Sequence, residues 1–168
     1  MPSIVQFYSG AEPDHRGRFL RDVIAWPDER LESVHDFIQW LFPLPDPSPV
    51  NPHAPLLNRE TVEAFAARAN LRDALRTSLE RMLKFYGFAL GPGPMVDRTK
   101  QFAARAENWL WPGNHNHLRI TRILKCLSIL GLKAEAAAFE GALETVYAEH
   151  RDRITAATIR FWRRASNF

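Results

Sequence analysis

The run His35-Asp36-Phe37-Ile38-Gln39-Trp40-Leu41-Phe42-Pro43 packs two phenylalanines, a tryptophan and an acid–histidine neighbour pair into nine positions and ends on proline. So many bulky apolar residues in so short a run exclude a helix lying open to solvent. At about 100° per residue from Leu31, a helix gathers Leu31, Val34, Ile38, Leu41 and Phe42 on one side, with Glu32, Asp36 and Gln39 on the flank. Phe37 and Trp40 point away from that stripe. A helix apolar on two sides is buried on two sides, so the reading is a central helix around residues 29–42.

Helical spacing continues on either side of this run. Upstream lie the apolar patch Ile4, Val5, Phe7 and Tyr8, a polar break at Ser9-Gly10, and a short helix over 17–25 carrying Phe19, Leu20, Val23 and Ile24. Trp26-Pro27 ends it, and Asp28 is placed to cap the next. Downstream, residues 43–55 hold six of the twelve prolines. Proline fixes φ and favours extended backbone before it, so this segment reads as a stiff strap over the helices. Two helices follow from Asn58, one with Val62, Phe65 and Ala66, the other capped by Asn70 and carrying Leu71, Leu75, Leu79, Met82, Leu83 and Tyr86 to a stop at Gly87. Gly91-Pro92-Gly93-Pro94 reads as a flexible loop, with a short helix over 97–108 beyond it. The helix from Asn116 to Leu130 shows Ile120, Ile123, Leu124 and Leu127 on one side and stops at Gly131. Two more follow, with Ala136, Phe139, Leu143, Val146 and Tyr147, then Ile154, Thr158, Phe161 and Trp162. No run alternates with period two. The fold expected is all-α, a single compact multi-helix domain over residues 1–168.

A chain of 168 residues with 46% hydrophobic and 24% charged residues has material for one core and is not disordered. Its net charge is +3 and its pI about 9.3. Lysine occurs only at 84, 100, 125 and 133, so arginine, the better fork for carboxylates and phosphates, carries most of the positive charge. That balance alone does not imply nucleic acid. The lone Cys126 excludes an intramolecular disulfide and a four-cysteine zinc site. No signal-peptide pattern opens the chain, and no apolar stretch approaches the roughly 20 residues of a membrane helix. The expectation is a soluble, cytoplasmic chain whose membrane association is peripheral at most. Phosphate-binding glycine loops, nucleophile elbows and zinc-protease motifs are all absent from the sequence.

Three segments resemble one protein family. The first is Gly17-Arg18-Phe19-Leu20 leading to Trp26, followed by His35 through Pro43, where the family has tyrosine at the place of Phe37. The second is Phe85-Tyr86-Gly87. The third is His115-Asn116-His117-Leu118-Arg119-Ile120-Thr121-Arg122-Ile123-Leu124-Lys125, where the family has asparagine at the place of His117 and serine near Cys126. Over about residues 7–148 the chain resembles the conserved domain of the opioid growth factor receptor family. That resemblance implies receptors for the pentapeptide Met-enkephalin, membrane-associated or perinuclear and nuclear, with long C-terminal extensions of repeats and basic import signals. The chain reads as the conserved module alone. The resemblance brings no catalytic residues with it.

His115, Arg119, Arg122 and Cys126 follow one another at spacings of four, three and four, forming a stripe apart from the aliphatic side of their helix. The free N–H groups at that helix start favour an anion, and Arg119 and Arg122 would fork onto a carboxylate or phosphate. The plainer reading pairs these arginines with acids such as Asp36, Glu32 or Asp22. His35 falls in the apolar sector of its helix and diverges from Asp36, so it reads as a core histidine or as a general base lining a pocket. His115 and His117 are about 200° apart on a helix, which spoils chelation. Cys126 reads as a small buried hydrophobe. Trp40, Trp109, Trp111 and Trp162 suit core packing or an aromatic groove for a peptide.

These features point to a non-enzymatic module that binds a peptide, a protein partner or a small anionic ligand, without cofactor or metal. The expected site is a cleft between the 35–42 helix and the start of the 116–130 helix, lined by His35, Asp36, Gln39, Trp40, His115, Asn116, Arg119 and Arg122. The alternatives are an enzyme on an anionic substrate, with His35 or His115 as acid–base, and a nucleic-acid binder using Arg160, Arg163 and Arg164.

Overall fold

A computed structural model describes residues 3–168. The chain forms two compact units, one ending at Ser78 and the other running Leu79–Phe168. Among the described residues are ten helices and one two-stranded sheet, so the fold is predominantly helical.

The first unit carries α1 (Ile4–Tyr8), α2 (Leu20–Ile24), α3 (Asp28–Ser33), α4 (Ile38–Leu41), α5 (Arg59–Ala67) and the first half of α6 (Ala69–Tyr86). Its interior is aromatic. Phe7 meets Trp40 at 5.2 Å between ring centroids, Tyr8 meets Phe65 at 5.4 Å, and Trp26 meets Phe37 edge-on at 5.6 Å. The buried Tyr8 hydroxyl donates to the Leu41 carbonyl and lies 3.1 Å from the Ser78 hydroxyl, which ties α1 to α4 and α6. Asn58 caps α5, its Oδ1 accepting from the Thr61 N–H at 2.8 Å.

The helix expected over 29–42 is broken. α3 ends at Ser33, Val34 is extended (φ −93°, ψ 131°), and α4 starts only at Ile38. Ser33, Val34, His35 and Asp36 all have middling to low helix propensity, so little local energy resists the break. Tertiary partners for Asp36 then favour the irregular path. The earlier helix is likewise shorter than expected, because residues 14–18 form a turn closed by the buried Asp14 carboxylate, which accepts from the Arg16 and Arg18 N–H groups at 2.9 and 3.0 Å. Asp28 is the first helical residue of α3 and not its cap, and α6 starts at Ala69, with Asn70 inside it. Between α4 and α5 the proline-rich residues form no helix, and the Leu57 N–H reaches back to the Leu44 carbonyl at 3.0 Å.

The second unit contains the rest of α6, an antiparallel hairpin β1 (Phe88–Gly91) and β2 (Met95–Arg98), then α7 (Phe102–Ala106), α8 (His115–Ile129), α9 (Lys133–Glu149) and α10 (Ala156–Ser166). The hairpin corrects the all-α expectation. Its strands pair Phe88 with Arg98 through Gly91 with Met95 around Pro92-Gly93-Pro94, and four residues each are too few for an alternating pattern to stand out. The helix expected over 97–108 shrinks to α7 because Asp97 and Arg98 belong to β2. Gly87 stops α6 at φ +95°, and a Cβ there would lie 2.6 Å from the Phe102 Cα, so only glycine fits. The core gathers Tyr86, Phe88, Trp109, Phe139 and Trp162 with the aliphatic side of α8, whose Ile120, Ile123, Leu124 and Leu127 are fully buried as its spacing implies.

Candidate functional site

In the first unit the break between α3 and α4 opens a cleft of about 590 Å³ lined by His15, Arg16, Arg18, Val34, His35, Asp36, Val50, Asn51 and His53. Asp36 is its electrostatic centre. Its carboxylate accepts from the Arg16 Nε–H and from Arg18 Nη1 at 2.8 Å, while Arg18 also spans to Asp14 at 2.6 Å. Burial alone would raise the Asp36 carboxyl, but the hydrogen bonds and charges of Arg18 and Arg16 together outweigh it and hold the group below its ordinary value of 3.8.

His15 is fixed by two neighbours. The Trp40 indole N–H donates to its Nδ1 at 3.0 Å, which leaves the ring proton on Nε2, 3.5 Å from the Asp36 carboxylate. The His15 and His53 rings stack at 6.4 Å between centroids. Asn51 joins the proline-rich segment to α4 by donating to Gln39 Oε1 at 3.3 Å, and its Oδ1 accepts from the His53 N–H. Asp36, held ionised by two guanidiniums, is poorly placed to take a proton, and His15 Nδ1 is already engaged by Trp40. Arg16, 65% exposed along its side chain, and the exposed His53 are placed to meet a ligand's negative group.

Of the first-unit residues expected at a site, His35 and Asp36 line this cleft, and Gln39 and Trp40 support it from beneath as buried side chains. His35 is exposed in the irregular segment and is not a core histidine. Sequence reading missed His15, Arg16, Arg18, Asn51 and His53. Arg18 lay within a quoted family segment, but nothing in helical periodicity marks a turn or a proline-rich stretch as a ligand wall.

The four α8 residues sit in the second unit. His115 is exposed, Asn116 fully buried, Arg119 6% exposed and Arg122 half-buried. Asn114 caps the helix by accepting from the Asn116 N–H at 2.9 Å, so a side chain already occupies part of the seat offered to an anion. Burial lowers the Arg122 guanidinium from its ordinary value, with Cys126 acting the other way. Cys126 is fully buried, and burial pushes its thiol well up. His117 faces inward, its Nε2–H donating to the Trp109 carbonyl at 2.8 Å, and burial lowers its pKa. Among the described residues no group of three His, Cys, Asp or Glu side chains is arranged to hold a metal ion. Trp40, Trp109 and Trp162 are buried, and of the four tryptophans considered for a groove only Trp111 is well exposed, at 47%.

The conserved region of the opioid growth factor receptor (OGFr) matches residues 7–163, well beyond half of the chain. The chain belongs to the OGFr family. It is similar to the opioid growth factor receptor of Rattus norvegicus, 42% identical over 142 residues, covering 80% of this chain and 24% of that protein. The Homo sapiens receptor is 43% identical over 123 residues, covering 70% and 18%. Opioid growth factor receptor-like protein 1 of Mus musculus is 36% identical over 147 residues, covering 79% and 29%. The chain thus spans less than a third of the length of these relatives. No solved structure matches it.

The segments that carry the resemblance to the family meet in pairs. Gly17-Arg18-Phe19-Leu20 and the run from His35 join at the Arg18–Asp36 ion pair in the first unit. Phe85-Tyr86-Gly87 and the run from His115 join where the Tyr86 hydroxyl donates to Asn116 Oδ1 at 3.4 Å in the second. One junction walls a cleft and the other lies in a core. Among the described residues no helix is long and apolar enough to cross a membrane.

Proposed function

We propose that this OGFr-family chain is a non-enzymatic binding module whose first-unit cleft takes a short peptide through its negative group. The observation that carries the reading is the Asp36 cluster, in which two guanidiniums and His15 meet one ionised carboxylate in a cleft also lined by His35, His53 and the apolar Val34 and Val50. A peptide carboxylate would take the outer N–H groups of Arg16 and the His53 edge, and apolar side chains would cover Val34 and Val50. Val50 is 84% exposed, so apolar surface remains to be covered. The reading agrees in kind with relatives named as receptors for a growth factor. The proline-rich residues serve here as a strap holding Asn51 against α4 and His53 over His15. The negative group is assigned to this cleft ahead of the α8 residues because Asn116 and Arg119 are buried and Asn114 already caps α8.

The whole chain is proposed to unfold as one domain, since α6 continues through Ser78 and Leu79. One cooperative thermal transition is expected, and two separable ones would overturn that assignment.

The binding test is calorimetric titration of the full chain with Met-enkephalin, its C-terminally amidated form and unrelated pentapeptides. Binding of a peptide with a free carboxylate is expected, weakened about tenfold by amidation and by Arg16→Ala. No binding by any peptide, or binding indifferent to Arg16→Ala and to a second variant, His53→Ala, would remove the cleft from consideration.

A further inference from the structure

Unpaired positive charge in the second unit collects on one face of α10. This helix buries Ile159, Trp162, Ala165 and Ser166. At about 100° per residue, Arg160, Phe161 and Arg164 fall within one outward arc, and Phe168 follows just past the helix end. Phe161 is 55% exposed and Phe168 58%. The adjoining edge of α8 is open as well. The His117 carbonyl accepts from the Trp162 indole N–H at 3.1 Å, and their sequence neighbours Leu118 and Phe161 face outward, Leu118 at 75% exposure. Lys125, further along α8, lies 4.4 Å from the Phe168 ring centroid.

Most arginines of this unit are committed. Arg163 pairs with Glu144, Arg98 with Glu149, Arg105 donates to the Phe85 carbonyl, and Arg151 and Arg153 lie over the rings of Tyr147 and Trp111. The Arg160 and Arg164 side chains have no ion pair, hydrogen bond or ring contact among the described residues. Two unpaired guanidiniums one turn apart, beside more than half-exposed phenylalanines on a helix whose own sequence carries no acid, form a surface complementary to apolar groups interspersed with acids.

We infer that the outward α8–α10 edge is a second, separate docking surface, for an acidic amphipathic segment of a partner protein. Aspartates or glutamates of that segment pair with Arg160 and Arg164, and its aliphatic or aromatic side chains cover Phe161 and Leu118. A nucleic acid suits the surface less well. Two or three cations neutralise too few phosphates for strong binding, so the exposed Phe161 and Leu118 are left to be covered by apolar side chains. The inference does not depend on the first-unit cleft.

The test is a random-peptide display selection on the full chain, run in parallel on Arg160→Glu/Arg164→Glu and on Phe161→Ser, each checked by circular dichroism. These side chains are exposed, so both variants should keep the fold. The expected result is a set of peptides rich in Asp and Glu alternating with Leu, Phe or Trp. Synthesised, they should bind the parent chain and lose about tenfold or more in affinity for each variant, while keeping affinity for Arg16→Ala. Variant-sensitive peptides that are neutral or basic, or no variant-sensitive peptides at all, would overturn the assignment. So would salt-steep binding of an oligouridine that the same charge reversal abolishes, since that would give the face to a polyanion.

Discussion

Each unit of this chain joins a histidine to a tryptophan, and the two do so in opposite settings. In the first, the Trp40 indole donates to His15, whose other nitrogen faces Asp36 in an open cleft. In the second, buried His117 donates to the Trp109 carbonyl, and its own carbonyl accepts from the Trp162 indole. The first pair fixes a tautomer beside solvent and charge. The second satisfies the Trp109 and His117 carbonyls and the Trp162 indole in the interior, where an unpaired polar group is costly. The same residue types thus make a ligand wall or a core joint according to the solvent and charge around them.

The harshest break of this comparison is Trp109→Ala. The ring is fully buried against Tyr86, Phe88 and Phe102, so the variant should lose about 3–5 kcal/mol in urea unfolding. Asp36→Asn should cost less, about 1–3 kcal/mol, because Arg16 and Arg18 lose a charged acceptor at a partly solvated place. Its pH dependence is the sharper readout. The folded-state carboxyl lies below the unfolded value, so its contribution is present above that value and fades as acid protonates it. Stability of the parent should fall below about pH 4 relative to Asp36→Asn.

Trp40→Phe keeps most of the ring but removes the N–H to His15. About 1 kcal/mol should be lost in urea unfolding, and peptide binding should weaken because His15 is no longer held in place. The smallest effect is expected at Glu140→Gln. Burial first, then the hydrogen bond and charge of Glu144, push Glu140 up to about 7, while the hydrogen bond from Arg163 takes Glu144 down to about 2. A raised carboxyl pKa means that the folded chain holds a proton the unfolded chain releases, so stability falls as pH rises from about 4.5 through 7. The Gln variant lacks that fall, and its melting temperature should overtake the parent's by a few degrees at pH 8 but not at pH 5. Equal pH profiles would show that the pair does not share its proton in this way.

Local pattern fails where distant partners decide. The α8 stripe, the start of α5 after Asn58 and the stops at Gly87 and Gly131 were legible because each depends on residues within a turn or two. Of the cleft lining, His35 and Asp36 stood out in the opening run. Most of the rest did not, because His15, Arg16 and Arg18 come from a turn about twenty residues upstream and Asn51 and His53 from a proline-rich stretch without periodicity.

The sequence by itself determined a predominantly helical chain, the apolar faces of its longer helices and its membership of the OGFr family. Those follow from side-chain spacing and from runs of letters, which survive without coordinates. Only the tertiary structure decided that the run from His35 is not one helix. Ser33 to Asp36 has too little helix preference to resist, and the guanidiniums of Arg16 and Arg18 capture Asp36 across the gap. The inward turn of His117, whose carbonyl meets the Trp162 indole, was decided in the same way, whereas the hairpin after Gly87 is a local pairing whose four-residue strands are too short to show alternation. Contacts between distant residues such as Arg18 and Asp36 exceed the few tenths of a kcal/mol by which local propensities differ.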